Sequence, residues 1–140
     1  MVDDMRHILV IDDDPTVADH LRHASRMLLP GVRVIAARSG ADAAHIMNHS
    51  ALNLILLDLV LQDETGFDLI PEVQSHAPQT PIVMLSQHDS DAARYVCRQR
   101  GVTTFEPKPD PDDAGGYPAL VRRLAGYITS GPVCQWPPRE

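Results

Sequence analysis

Five chemically active side chains lie at the ends of short apolar runs in this 140-residue chain. They are three carboxylates, a hydroxyl and an ammonium: Asp12, Asp13, Asp58, Ser86 and Lys108. Three carboxylates in one crevice repel each other and raise each other's pKa unless a cation lies between them. Oxygen ligands without histidine or cysteine favour Mg²⁺ over Zn²⁺, and a hydroxyl and an ammonium opposite them could hold the oxygens of a phosphoryl group. Each residue alone has an ordinary explanation, but together they indicate phosphoryl chemistry.

Asp58 ends a run of four large apolar residues, Leu54-Ile55-Leu56-Leu57. A run without alternation is typical of a strand buried on both faces of a parallel sheet. Because charge is costly inside a core, we expect Asp58 to lie where this strand emerges at its carboxyl end, which is where open α/β sheets bind ligands. The alternative is that Asp58 only caps the next element, and this stretch alone does not decide between the two.

Composition indicates one ordinary soluble domain. Hydrophobic residues make up 44% of the chain and charged residues 22%, which is usual for a globular protein. The net charge of −7 argues against binding of nucleic acid by this domain. Cys97 and Cys134 form neither a metal-binding spacing nor a disulfide framework, so a reducing, cytoplasmic setting is expected. We see no signal peptide and no apolar stretch of membrane-spanning length.

The remaining elements must position these residues. Apolar runs predict strands at residues 7–11, 32–36, 54–58, 81–86 and 103–106. Capping residues and apolar periodicity predict helices that begin at Asp14-Pro15, at Ser39, near Gly66, at Asp89 or Ser90, and near Leu120. Pro71 lies inside the third helix and should kink or tighten it. The fourth helix should face inward with Ala92, Ala93, Val96 and Cys97. Strands alternating with helices predict an α/β fold with a doubly wound parallel sheet, whose strand carboxyl ends share one edge.

The chain resembles the receiver domain of two-component response regulators over residues 6–128. The resemblance is carried by four segments in the family's order and spacing: Ile8-Leu9-Val10-Ile11-Asp12-Asp13-Asp14, Leu56-Leu57-Asp58 with Gly66 downstream, Val83-Met84-Leu85-Ser86, and Phe105-Glu106-Pro107-Lys108-Pro109. It implies a flavodoxin-like strand order of 2-1-3-4-5 with five helices. Residues 129–140 would then be a flexible tail or the start of a linker, in a stand-alone receiver or a fragment of a longer regulator.

The resemblance also implies a role for each site residue. Asp58 would be the phosphoacceptor, assisted by Lys108 and Ser86. Mg²⁺ would be bound by Asp13, Asp58 and the Val60 backbone carbonyl, with Asp12 acting largely through water. Ser86 and Phe105 would form the switch that reports phosphorylation to the surface of the fourth helix, fifth strand and fifth helix.

The implied partners follow from these roles. The phosphoryl donor would be a sensor histidine kinase or a phosphotransfer protein, and the surface named above is one candidate face for a homodimer. The domain would not be an enzyme beyond its own phosphotransfer and slow autodephosphorylation. Two other hypotheses stay open: a degenerate receiver that acts as a phosphorylation-independent interaction module, and a hydrolase with an aspartate nucleophile, although Val60 stands where a hydrolase needs a second carboxylate.

Several residues depart from the family's pattern. Gln87 and His88 stand at the rim of the site, where Gln87 could shield a phosphoryl group from water. Pro107 removes a backbone donor from the end of the fifth strand. Residues 110–118 are expected to form a long, flexible loop before the last helix. The seven histidines are expected on solvated faces.

Overall fold

The computed structural model describes residues 5–87 and 90–129 of the chain. Strands and helices alternate along this part of the chain without exception. The elements are β1 (Arg6–Ile11), α1 (Pro15–Leu28), β2 (Val32–Ala37), α2 (Gly40–His49), β3 (Leu54–Asp58), α3 (Gly66–His76), β4 (Ile82–Ser86), α4 (Asp91–Gln99), β5 (Thr104–Pro107) and α5 (Gly116–Thr129). The strands agree with the sequence-based predictions to within one residue at each end.

All strand pairs are parallel, and the sheet order is β2-β1-β3-β4-β5. This confirms the predicted doubly wound α/β fold and its strand order. β3 lies in the middle of the sheet, and every one of its residues is buried. Because all strands point the same way, Asp12, Asp58, Ser86 and Lys108 meet at one edge.

The helices cover both faces of the sheet with two apolar cores. One core joins the sheet to α1 and α5 through side chains such as Leu21 and Leu124. The other joins it to α2, α3 and α4 through side chains such as Met47, Ile70 and Cys97. Among the described residues, no helix is long and apolar enough to span a membrane.

Side-chain caps fix where four of the helices begin. Asp14 accepts a hydrogen bond from the Thr16 N–H, and Pro15 starts α1. Ser39, Thr65 and Ser90 cap α2, α3 and α4 in the same way. These caps satisfy N–H groups that have no partner inside their own helix. The predicted helix starts are therefore confirmed, with Ser90 rather than Asp89 as the cap of α4.

Pro71 does not end α3, which continues through it. Proline lacks an N–H, so the carbonyl four residues earlier, that of Phe67, receives no helical hydrogen bond. The Arg100 guanidinium donates to this carbonyl instead, at 2.9 Å. The guanidinium carbon also lies 5.6 Å from the centre of the Phe67 ring. Arg100 thus compensates for the proline and links α3 to the end of α4.

Three sequence-based expectations are wrong. Ala92 is exposed, and α4 faces inward mainly with Cys97. His7 is buried rather than on a solvated face, because it belongs to a strand with neighbours on both sides. The last helix begins at Gly116 instead of near Leu120, so the preceding loop is shorter than predicted and Tyr117 is part of the core.

Pro107 costs the sheet no hydrogen bond to β4. β5 is an edge strand, and the Lys108 N–H donates to the Ser86 carbonyl at 2.8 Å. An edge strand tolerates proline where its nitrogen does not face a neighbouring strand. The expected loss of a donor therefore has no structural consequence at this position.

Candidate functional site

An acidic cleft of about 270 Å³ lies at the carboxyl edge of the sheet. It collects all five of the chemically active residues predicted from the sequence. Its lining consists of Asp12, Asp13, Asp14, Asp58, Val60, Ser86, Gln87 and Lys108. His88 lies outside the described residues.

Asp12 follows β1 and is buried, with 4% of its surface exposed. Its backbone N–H donates to the Ala37 carbonyl at 2.9 Å, which continues the pairing of β1 with β2. Its Oδ1 atom accepts a hydrogen bond from the Asp14 N–H at 2.9 Å. The side chain is thus held facing the cleft rather than solvent.

Lys108 joins the two buried carboxylates. Its Nζ atom lies 2.8 Å from Asp12 Oδ2 and 3.2 Å from Asp58 Oδ2. Its backbone N–H is bonded to the Ser86 carbonyl, so the end of β5 is fixed against the end of β4. One ammonium therefore partly neutralises two carboxylates that come from different strands.

The pKa of Asp58 is raised from 3.8 to about 6. Burial is the main cause, and the negative charge of Asp12 adds to it. Lys108 and the Val60 N–H, which donates to Asp58 Oδ1 at 3.3 Å, act in the opposite direction. At neutral pH the Asp58 carboxylate is therefore ionised in most molecules but is poorly solvated.

Burial by itself lowers the pKa of Lys108, but hydrogen bonding and attraction to Asp12 outweigh it, with a further contribution from Asp58. The net result is a pKa above the usual value for lysine. Lys108 is thus a permanent positive charge beside the Asp58 carboxylate. Such a charge is suited to binding the oxygens of an anionic group.

The loop after β3 holds the backbone of Val60 at the cleft. Val60 and Thr65 form an antiparallel bridge, and the Gly66 N–H donates to the Leu59 carbonyl at 2.8 Å. Gly66 approaches the strand so closely that a Cβ atom there would lie 2.5 Å from the Asp58 carbonyl oxygen. Glycine at this position therefore lets α3 begin directly behind the acidic residue.

Asp12, Asp13 and Asp58 together could hold a metal ion. One carboxylate oxygen from each of these residues lies within 4.8 Å of the others. Asp12 Oδ2 is buried and lies 2.8 Å from Lys108 Nζ. An all-oxygen donor set of this kind fits a hard divalent cation, so the residues present are suited to Mg²⁺.

Of the two predicted switch residues, Ser86 lines this cleft and Phe105 does not. Ser86 is buried at the end of β4. Phe105 is also buried, and the Arg94 guanidinium carbon lies 4.9 Å from the centre of its ring. Phe105 belongs to the core on the side of α4 and does not line the cleft itself.

Two residues near the site were not identified from the sequence. The Glu64 carboxylate accepts from the Gly40 N–H at 2.7 Å, which ties the loop after β3 to the start of α2. Tyr117 stacks on His20 with ring centres 4.8 Å apart. The spacing of Tyr117 to Leu120, Val121 and Leu124 is that of an inward helix face, and this signal could have identified it.

A family model described as "Response regulator receiver domain" matches residues 8–114. The transcriptional regulatory protein CpxR of Escherichia coli strain K12 is 32% identical over 122 residues, which cover 85% of this chain and 50% of CpxR. The transcriptional regulatory protein GlrR of the same strain is 32% identical over 108 residues, covering 77% of this chain and 24% of GlrR. The chain thus spans half or less of the length of these two relatives.

Solved structures show the same fold. The chemotaxis response regulator CheY4 of Vibrio cholerae superimposes with a TM-score of 0.74 at 23% identity and covers 89% of this chain and 99% of its own. The Mn²⁺-bound form of response regulator Rcp1 has a TM-score of 0.75 at 17% identity and covers 91% and 98% of the two chains.

The matched segment, residues 8–114, contains every residue of the acidic cleft. It also contains β2 to β5 and residues 8–11 of β1, and the order of these strands is that of the superimposed structures' fold. The chain belongs to the receiver domain family of two-component response regulators.

Proposed function

We propose that this domain accepts a phosphoryl group on Asp58 and so acts as the signal-receiving part of a two-component system. One observation carries the proposal: the Asp58 carboxylate lies at the end of the central strand, 3.2 Å from the Lys108 ammonium and beside two further carboxylates. This arrangement places a nucleophile, a fixed positive charge and a candidate cation site in one cleft.

The chemical step follows from these groups. A carboxylate oxygen of Asp58 attacks phosphorus in line, and the bond from phosphorus to the donor breaks on the opposite side. With a phosphohistidine donor the leaving group is the imidazole, and with acetyl phosphate it is acetate. Lys108 offsets the charge of the transferred oxygens while Asp12 keeps its ammonium in place.

Mg²⁺ is the proposed cofactor, held by Asp12, Asp13, Asp58 and the Val60 backbone carbonyl. When bound, it supplies charge neutralisation for the phosphoryl oxygens. Asp13 is partly exposed, and within residues 5–87 and 90–129 its side chain makes no hydrogen bond or ion pair. Its carboxylate is therefore free to turn toward a cation without breaking another contact.

The product carries a dianionic group where a single negative charge was. The Ser86 hydroxyl, at the same cleft, would then turn toward the phosphoryl oxygens. Phe105 is the proposed second member of the switch, and its ring already lies buried under Arg94. Any rotation of the ring must therefore break its cation–π contact with α4, which would transmit the change to that helix.

The proposed donor is a phosphohistidine on a sensor histidine kinase or a phosphotransfer protein, and the proposed setting is the cytoplasm. In this account the domain is not an enzyme beyond its own phosphotransfer and slow autodephosphorylation, and it binds neither nucleic acid nor membrane. The α4, β5 and α5 face remains a predicted homodimer surface.

Intact-mass measurement after incubation with acetyl phosphate and Mg²⁺ tests the proposal. The unaltered protein should gain the mass of one phosphoryl group, and Asp58→Asn should gain none. Asp14→Asn is the matched control, because Asp14 lines the same cleft as a helix cap and should leave labelling intact.

Equal labelling of Asp58→Asn would remove Asp58 from its role. Absence of labelling in the unaltered protein with acetyl phosphate and with small phosphoramidate donors would favour the alternative of a phosphorylation-independent interaction module.

A further inference from the structure

Two histidines lie side by side at the end of α2, away from the acidic cleft. His45 and His49 are both exposed, and their ring centres are 4.5 Å apart. They stand four residues apart in the helix, so their side chains project from the same face one turn apart. The same spacing on one helix face supplies two imidazole ligands to zinc in other proteins.

A hydrogen bond fixes how the His49 ring presents its nitrogens. Its Nδ1 atom lies 2.7 Å from the His45 carbonyl oxygen. A carbonyl oxygen only accepts, so Nδ1 carries the proton and, in the neutral ring, Nε2 keeps a free lone pair. Histidines that ligate metals are usually oriented in this way, by a ring N–H that donates to a carbonyl or a carboxylate. The His49 ring is therefore already in the tautomer and orientation that a metal ligand needs.

The His45 ring is free to turn toward the same ion. Within residues 5–87 and 90–129 it makes no hydrogen bond or ion pair, and its ring contact is with His49. Two nitrogens bound to one tetrahedral zinc ion at about 2.0–2.1 Å lie about 3.3 Å apart. Since the ring centres are 4.5 Å apart, rotation of the His45 side chain can bring one of its nitrogens to this separation while the helix stays unchanged.

The end of a helix also favours a cation. α2 ends at His49, and the last carbonyl groups of a helix carry a partial negative charge. The acidic cleft lies near the other end, because the Gly40 N–H at the start of α2 is bonded to Glu64 in the loop that also carries Val60. His49 stands nine residues after Gly40, or about 13–14 Å along the helix axis at about 1.5 Å per residue. The histidine pair is thus separate from the three carboxylates.

We propose that His45 and His49 form a second metal site, which binds a borderline divalent transition-metal ion such as Zn²⁺ through two imidazoles. Water completes the coordination, since both rings are exposed. Imidazole binds Zn²⁺, Cu²⁺ and Ni²⁺ well, whereas Mg²⁺ prefers oxygen ligands. The histidine pair and the acidic cleft therefore select different ions. A bound ion joins residues one turn apart and so holds the last turn of α2 in helical form.

Zn²⁺ titration of the untagged full chain tests the proposal. Mg²⁺ is present in large excess, so that it competes for the carboxylates of the acidic cleft. Calorimetry should then show Zn²⁺ binding that His45→Gln and His49→Gln each weaken at least about tenfold, because loss of even an indirect partner of a metal ligand typically costs about 10–100-fold in affinity. Glutamine is a good helix former, so circular dichroism should show that both variants keep their helices.

Two further measurements locate the bound ion. In ¹⁵N spectra of the imidazole rings, Zn²⁺ should shift the Nε2 signal of His49 and one nitrogen signal of His45. Amide hydrogen exchange should slow in the last turn of α2 and not at its start near Gly40, because the ion stabilises only the turn between its two ligands.

His23→Gln is the matched control, because His23 is also an exposed histidine in a helix and has a second histidine, His20, three residues before it. The His20 ring is stacked on Tyr117 with ring centres 4.8 Å apart, so this variant should leave the Zn²⁺ affinity unchanged. Equal effects of His23→Gln and His45→Gln would overturn the proposal. So would an affinity that falls in only one of the two α2 variants or in neither, and so would imidazole signals of His45 and His49 that Zn²⁺ does not shift.

Discussion

The raised pKa of Asp58 predicts that Asp58→Asn stabilises the metal-free domain at alkaline pH. The ionised carboxylate is buried and adjoins Asp12, so folding is opposed by its charge. The difference between the ordinary pKa of 3.8 and the folded value of about 6 corresponds to about 3 kcal/mol at about 1.4 kcal/mol per pKa unit. An amide loses part of the contact with Lys108 and of the hydrogen bond with Val60, which costs about 1 kcal/mol.

The net gain for the variant is therefore about 2 kcal/mol at pH 8, or roughly 5–8 °C in Tm for a domain of this size. The gain must depend on pH in a defined direction. Because the folded pKa of Asp58 lies above the unfolded one, protonation of Asp58 stabilises the fold fully below about pH 4, and this stabilisation is lost as pH rises through about 6. The advantage of Asn over Asp is thus largest at pH 8 and closes toward pH 4.

Thermal unfolding in EDTA between pH 4.5 and 8.5 measures this. Asp14→Asn is the control, because asparagine caps a helix as well as aspartate does and hydrogen bonds from Thr16 lower the pKa of Asp14. The stability that ionised Asp14 contributes is lost as pH falls, so its substitution should give no gain at pH 8. A lower Tm for Asp58→Asn at pH 8, or a difference that does not change with pH, would refute the electrostatic reasoning.

Three further predictions concern other residues of the chain. Asp13→Asn should weaken Mg²⁺ binding, which calorimetry measures. It should raise the metal-free Tm less than Asp58→Asn does, since Asp13 is only partly buried. A fall in Tm would mean that Asp13 has a structural partner. Gln87→Ala should shorten the phosphoryl lifetime, by up to about 10²-fold if Gln87 shields the phosphoryl group from the attacking water, and His88→Ala should change it less. Phosphate release from the purified phosphoprotein measures the lifetime, and an unchanged or slower rate for Gln87→Ala would exclude shielding. Arg100→Ala should cost about 1 kcal/mol of stability because the Phe67 carbonyl loses its donor, whereas the same change at exposed Arg98 should cost little in denaturant unfolding.

Burial on both faces is what made the central strands predictable. A strand inside a parallel sheet needs apolar side chains on both faces, so residues 54–57 show no alternation. This pattern identifies them as a buried strand. The end of such a run is equally clear, since a carboxylate cannot continue the core. The positions of Asp12 and Asp58 at the sheet edge therefore followed from the sequence with little ambiguity.

The errors arose where the local pattern was weaker. Glycine and proline predict a loop at Gly116 and Pro118, although proline is well tolerated in the first turn of a helix and α5 includes both residues. Alanine fits either face of a helix, so the sequence does not separate Ala92, which is exposed, from Ala93, which is half-buried on the same side as Val96 and Cys97.

Contacts between distant residues could not be predicted from the sequence at all. Arg94 over Phe105 and Arg100 at the Phe67 carbonyl join residues that share no local pattern. Arginine on a helix is usually solvated, and its stem can lie in several directions. Only the packing of α4 against β5 and α3 decides which carbonyl or ring each guanidinium meets.

In the acidic cleft, the same apolar run determines both the position of Asp58 and the pKa of its carboxylate. Burial of β3 places Asp58 at the end of the central strand, and burial is also the largest cause of its raised pKa. A carboxylate deprived of water holds its charge less easily, so it depends on cations supplied from elsewhere in the chain. Lys108 stands fifty residues later, and the pairing of β4 with β5 brings it to 3.2 Å. The parallel sheet therefore does more than support the site, because its register sets the distance between the Asp58 carboxylate and the charge that keeps it ionised.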